Sequence, residues 1–489
     1  MADIPYSMEK TQLIRDWRGR DYLVGDTPQE LINRPRSWMF WLPWAAMAAI
    51  GPMQYGYAAA VPALLEAHGW SAIATLTPLA VWIVCQAAVA LPAALLLRRG
   101  ALGIRVALWA GGLLSGTALL TVALARDLPT IIAGYALLGG VGAGLVYGAC
   151  TEAVARWYPE RPAARVGFTT GAFAYGTAPL AVAIGLDGRG LQPLFVAAAV
   201  VAWAAVGAAA VFVRLPPRNW WPSHLDPRIW ALDRLALRRE PRAVRQFSLG
   251  QALRTGSLPT LVSILVCAGA VSIFDVVALA TSGVLVPSAT TPGIAEAIFG
   301  GAAPPATTPE VAGAIFGGAA PPATTPEVAG AIFGGAAPWA AVALLLVLNG
   351  AGRACAMLAA EVAGRGRTLS AVLALLTLGQ LLLAWGAVTG SEAMLLVATV
   401  PAGFGGGAFY PLIASLVREY FGEEHTAPIN GVVYSAKAVA GLVGVGLAGL
   451  ALTVSDHAAV LFLAAALVLA AAVLSVTLRQ PGHPVTLPR

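Results

Sequence analysis

The chain has 489 residues, of which 58% are hydrophobic and 11% charged, whereas about a quarter of the residues in an ordinary soluble domain are charged. That balance excludes a soluble globular enzyme and a disordered chain, and leaves a polytopic membrane protein. The formal net charge of +6 has to be located along the chain before it implies a partner.

Residues 1–37 form a charged N-terminal tail with no signal-peptide core, expected to stay in the cytoplasm. A membrane span needs about 20 mostly apolar residues. Twelve such stretches follow, near 38–62, 73–97, 105–125, 128–155, 163–185, 193–213, 259–281, 338–360, 369–388, 393–417, 429–453 and 457–478. An even number of spans returns the C-terminal tail, 479–489, to the side of the N-terminus. The layout places 26 of the thirty Lys and Arg on the tail side and two, Arg126 and Arg189, on the other. This agrees with the positive-inside rule and a cell-membrane protein with both termini cytoplasmic. The net charge therefore reflects topology, and nucleic acid is not an expected partner. Cys85, Cys150, Cys267 and Cys355 fall within spans at no metal-like spacing, so they read as small buried hydrophobes.

The basic, proline-punctuated segment 214–258 separates a six-helix half, 38–213, from a second, 259–478. "GGVGAGLVYG" (139–148) and "GFGGGAFY" (403–410) match at an offset of 263, pairing Gly140 with Gly403, Gly144 with Gly407 and Tyr147 with Tyr410. Parallel repeats of this kind are found in twelve-helix transporters. The expected fold is all-α and integral to the membrane: twelve transmembrane helices in two six-helix halves. A different repeat, "AIFGGAAPPATTPEVAG", occurs at 297–313 and again at 314–330. It lies in the extracytoplasmic loop 282–337 and reads as a linker too rich in Pro, Gly and Thr for a packed core. Deleting 297–330 is expected to leave transport near wild type.

Of the thirty basic residues only Lys10 and Lys437 are lysine, and Lys437 lies inside the apolar run "GVVYSAKAVAG". An ionisable residue inside a span marks a functional site by default. Arg353, in "GAGRAC", is eight residues from the end of the eighth span, and Lys437 about eight from the start of the eleventh. At ~1.5 Å per residue both lie roughly 12 Å above the cytoplasmic boundary. Two cations at one depth call for an anion.

Four stretches, "GLVYGACTEAVARWYPERPAARVGFTTGAFAYG" (144–176), "RLPPRNWWP" (214–222), "NGAGRACAMLAAEVAGRGRT" (349–368) and "EYFGEEHTAPINGVVYSAKAVAGLVG" (419–444), resemble the oxalate:formate antiporter family of the major facilitator superfamily. The resemblance implies a secondary transporter, an antiporter or proton-coupled symporter of small organic carboxylates, acting as a monomer in the lipid bilayer with no cofactor, no metal and no catalytic residue. It also implies that Arg353 and Lys437 hold the carboxylate within a cage of Gln54, Tyr55, Tyr147, Tyr175 and Tyr434. Departures leave the choice of carboxylate open. Tyr434 stands where the oxalate carrier has tryptophan, that carrier's tenth-helix tryptophan falls at Gly403 or Phe404, and its second-helix glutamine falls at Leu76, with Gln86 as another amide on that span. The superfamily's gating signature survives as "EVAGRGR", with Glu361, Gly364, Arg365 and Arg367. Its counterpart "LLLRRGALGIR" has Arg98 and Arg99 in the place of the acid, so that half of the lock is expected to be weak or missing.

Asp275, in "SIFDVV", is an acid inside the seventh span. It either looks into outer water at the helix end or faces the cavity as a coupling residue, where it would reduce the site's charge from +2 to +1 and favour a monocarboxylate, or a dicarboxylate accompanied by a proton on Asp275. A membrane receptor for such an anion is the alternative from another class, but it would need an output domain. An enzyme is not expected.

Overall fold

The computed structural model describes residues 12–17, 19–186, 190–233, 243–282, 337–422, 426–454 and 457–482. The repeat loop, Arg189 and the C-terminal residues 483–489 lie outside them. Among the described residues, eleven helices are long and apolar enough to cross a membrane. We number the spans α1 to α12. α2 is Ala72–Arg99, α3 Ile104–Leu124, α4 Leu128–Trp157, α5 Pro162–Leu186, α6 Leu191–Phe212 and α7 Ser257–Ala280. α8 is Trp339–Ala363, α9 Arg365–Thr389, α10 Ala393–Phe421, α11 Pro428–Thr453 and α12 His457–Thr477. Each overlaps its expected stretch.

The remaining span, α1, is broken, which is why eleven helices and not twelve reach full length. It consists of Trp38–Ile50, a 3-10 turn Gly51–Met53, and Tyr55–His68. Pro52 lacks an amide proton and its ring crowds the preceding turn. Gly51 allows the break to press against α5, since a Cβ there would strike the Phe173 carbonyl and the Thr177 hydroxyl. α5 is itself interrupted between Tyr175 and Ala178, so the two irregular stretches face each other. α4 carries a compensating irregularity, a π-helical segment Ile132–Leu138. From it the Tyr135 hydroxyl donates to the Met53 carbonyl at the α1 break, 2.7 Å away, satisfying a group that the turn leaves without a helical partner.

The repeat in sequence is a repeat in packing. Gly140, Gly144 and Gly148 lie against α2, meeting Cys85, Val89 and Ala90, while Gly403 and Gly407 lie against α8, meeting Leu345 and Asn349. Gly142 faces Leu114 and Ser115 of α3, and its equivalent Gly405 faces Leu376 of α9. Small residues let membrane helices approach to backbone contact. They also make the seams between halves. Gly171 of α5 abuts the Gly350 carbonyl of α8, and Gly441 of α11 abuts Ile83 of α2.

The tail-side end bears a small sheet that the sequence did not announce. β1 (Gln12–Arg15) pairs antiparallel with β2 (Asp21–Val24), and β2 pairs in parallel with β3 (Trp220–Trp221), Leu23 opposite Trp220. Tyr22, Trp221 and Trp230 form its core, and burial pushes the Tyr22 phenol above its ordinary value. Arg36 fastens this cap to the end of α4: its guanidinium donates to the Trp157 carbonyl at 2.6 Å, pairs with Glu160 at 2.6 Å and lies 4.0 Å from the centre of the Tyr158 ring. The central segment is therefore not one linker. Residues up to 233 belong with the N-terminal half, whereas Phe247 bonds to Phe421 and Ser257 to Arg479 in the C-terminal half.

Candidate anion site at the seam between the halves

Arg353 sits on α8 where Gly167 of α5 approaches its own carbonyl. Its side chain crosses the seam, Nη1 donating to the Thr170 carbonyl of α5 at 3.0 Å. Nη2 reaches the Tyr55 hydroxyl at 3.4 Å and Asn349 Oδ1, one turn earlier on α8, at 3.3 Å. Nε is buried without a partner. The guanidinium carbon lies 5.5 Å from the centre of the Tyr410 ring, a cation–π distance. Arg353 is 4% exposed and Lys437 6%.

Lys437 on α11 crosses the other seam. Its Nζ donates to Gln86 Oε1 of α2 at 2.8 Å and to Gln54 Oε1 of α1 at 3.3 Å. Gln54 is available because it is the residue immediately after the 3-10 turn. The Gln86 amide nitrogen then donates to the Tyr434 hydroxyl at 3.2 Å. Phe173 and Tyr434 present rings 5.8 and 5.9 Å from Nζ. Among the described residues neither cation has a carboxylate in ion-pair range. An ammonium has three donors and a guanidinium five, so both keep donors in reserve.

Gln54, Tyr55, Tyr147, Phe173, Arg353, Tyr410, Tyr434 and Lys437 enclose a central pocket of about 10 Å³, room for roughly one water. Tyr147, Tyr410 and Tyr434 also form the inner wall of a larger cavity of about 270 Å³, which extends to Arg98 and Glu152 at the tail side. The three tyrosines are thus a wall shared by the small pocket and this larger vestibule.

Both cations and four of the five expected cage residues meet here. Tyr175 does not: it accepts from Trp44 of α1, donates to the Phe168 carbonyl and packs on Gly350, lining neither cavity. Asp275 is in neither of its expected places. It is 1% exposed, absent from the pocket wall, and accepts from Gln380 of α9 at 2.6 Å. The charge-balance argument for a monocarboxylate loses its premise, since both cations line the pocket and no acid does. Sequence reasoning missed Phe173, Asn349 and Thr170 as contacts. Tyr410 was signalled by its repeat relation to Tyr147.

At the tail side Glu361 meets Arg161 of the other half at 3.7 Å, and Arg365 meets Glu419 of α10 at 3.1 Å. Gly364 makes the α8–α9 turn with φ +90°, a conformation that favours glycine, and Arg367 is exposed. The expected gap in the N-terminal half is filled differently. Arg98 and Arg156 both bond Glu152 at 2.7 Å. In each half, a base at the end of α2 or the start of α9 ties to an acid on α4 or α10.

Residues 311–489 match the family model described as Major Facilitator Superfamily. The crystal structure of a mutant of the nucleoside transporter NupG superposes with a TM-score of 0.60, covering 91% of this chain and 99% of that one at 10% identity. The chain has the major facilitator fold. No curated protein matches the sequence. In a major facilitator fold assembled from these elements, the seams α5–α8 and α2–α11 join the halves, and both buried cations stand on those seams.

Proposed function

We propose that the chain is a secondary transporter that moves small organic carboxylates, of the monocarboxylate or oxalate/formate type, by alternating access of its two halves. It works as an antiporter or a proton-coupled symporter in the cell membrane. One observation carries this reading: two buried cations on one pocket, one reaching across each seam, bonded only to neutral oxygens and ring faces. Burying a charge without its opposite costs several kcal/mol, and a carboxylate arriving between Arg353 and Lys437 supplies the missing charge. Because each cation spans a seam, an anion held by both also draws the halves together. The candidate substrates are compact acids such as formate, oxalate, lactate, pyruvate and malonate. The functional unit in this reading is a monomer. Glu361, Gly364, Arg365 and Arg367 serve the tail-side gate.

Proteoliposomes containing purified protein test this by uptake and counterflow of those labelled acids. Transport of at least one is expected, with Arg353→Ala and Lys437→Ala reduced to the level of empty liposomes at normal insertion. Lys437→Arg is expected to fail as well, since a planar fork does not replace a compact ammonium in a confined site. Wild-type uptake by either alanine variant would overturn the assignment.

A further inference from the structure

Asp275 and Gln380 are the site that the anion pocket does not account for. The run Ala268–Ala280 of α7 is buried throughout. Within it, Asp275 Oδ1 accepts from Gln380 Nε2, but Asp275 Oδ2 and Gln380 Oε1 are both buried and have no partner among the described residues. An ionised carboxylate is an acceptor only, and a carboxamide has a single acceptor oxygen beside its two N–H donors. An ionised Asp275 therefore leaves two buried acceptors with no donor between them, together with a bare negative charge in the bundle. The cost of either is large.

Among the described residues no cation answers that charge. On the helices around α7, Arg353 and Lys437 bond to the groups of the anion pocket. Glu361, Arg365, Arg367, Arg418 and Glu419 stand at the tail-side ends of α8, α9 and α10. Glu66 and His68 stand at the far end of α1, and His457 at the start of α12 contacts the Ala451 carbonyl. A proton on Oδ2 resolves all three deficits at once. It neutralises the carboxyl, turns Oδ2 into a donor, and gives Gln380 Oε1 a donor, closing a two-bonded carboxyl–carboxamide ring.

We propose that Asp275 and Gln380 form a proton-binding site within the C-terminal half, separate from the anion pocket, which couples transport to protons. The site rests on the transporter reading but not on the identity of the substrate. In the conformation described the proton is held between α7 and α9. Its release requires water to reach Oδ2, which a shift of α7 against α9 during the rocking of the halves would permit.

Infrared difference spectroscopy of the purified full-length protein decides the matter without a substrate. The expected result is a protonated-carboxyl stretch at neutral pH that shifts in D₂O and is absent from Asp275→Asn, whose amide can keep both ring bonds and hence the fold. Absence of the band in the wild type, or its persistence in Asp275→Asn, overturns the proton site. Coupling is read with lactate and formate as probes: an inward proton gradient is expected to drive accumulation in the wild type and not in Asp275→Asn. Equal gradient-driven accumulation in both overturns the coupling. If none of the five acids named above moves into wild-type liposomes, the carboxylate reading fails. The proton site still stands or falls on the infrared band.

Discussion

Gln86 is the residue on which the two sides of the pocket depend. It gives its oxygen to Lys437 and its nitrogen to Tyr434, so α2 and α11 are joined through a single amide. Gln86→Leu is expected to raise the half-saturation concentration about tenfold or more, from a loss of ~1–3 kcal/mol at 1.4 kcal/mol per tenfold. Uptake kinetics measure this. Gln86→Glu places a carboxylate beside Lys437 in the position of a substrate oxygen, and is expected to raise thermal stability while abolishing transport. Arg353 and Lys437 were legible in the sequence because a charge in an apolar run has no cheap structural explanation. Phe173, for which the sequence raised no expectation, lines the pocket and Tyr175 does not, for the opposite reason. An aromatic ring is at home anywhere in a span, and only the α1 and α5 breaks decide which one faces the pocket.

At the scale of elements, the seams combine close backbone contact with few ionic ties. Gly350 has Tyr175 and the Gly171 carbonyl where a Cβ would go. Gly350→Ala is expected to cost ~1–3 kcal/mol through overpacking and to lower the unfolding temperature in detergent. The Arg161–Glu361 pair crosses the tail-side mouth with Arg161 partly exposed, so it is worth only about 0–1 kcal/mol. Arg161→Glu should increase thiol labelling of a cysteine placed at Thr151, in the vestibule, by no more than a few-fold. Adding Glu361→Arg should restore it; no recovery would mean that the pair does not hold the gate. The helices themselves were legible from hydropathy, with ends placed to within about six residues. Their breaks were not, because a proline inside a span kinks one helix and is absorbed by another. Pro78 and Pro92 lie within an uninterrupted α2, whereas Pro52 beside Gly51 ends a helix.

For the whole molecule, twelve spans, two halves and parallel repeats followed from length, charge placement and the offset of 263. The tail-side cap did not, since its strands are two to four residues long and its pairing joins segments on opposite sides of six spans. Removing its anchor tests its role: Arg36→Ala loses the Glu160 pair, the Trp157 carbonyl bond and the ring contact together. The expected result is faster proteolysis of residues 12–36 and a lower unfolding temperature, with the substrate profile unchanged. An unchanged cleavage rate would show that the sheet alone holds the cap.

The pairing of Leu23 with Trp220 also sets an order in time. During synthesis β2 is among the first segments made, but its parallel neighbour is not, and at about 5–20 residues per second the wait is roughly 10–40 s. Throughout that interval the early strand has an unpaired edge, and it gains its neighbour only once all six N-terminal spans exist. The sheet thus acts as a clasp that shuts after the first half is complete and before α7 begins at Ser257. Ribosome-bound chains stalled with residue 233 just exposed should already resist protease across 12–36, and those stalled before residue 220 emerges should not.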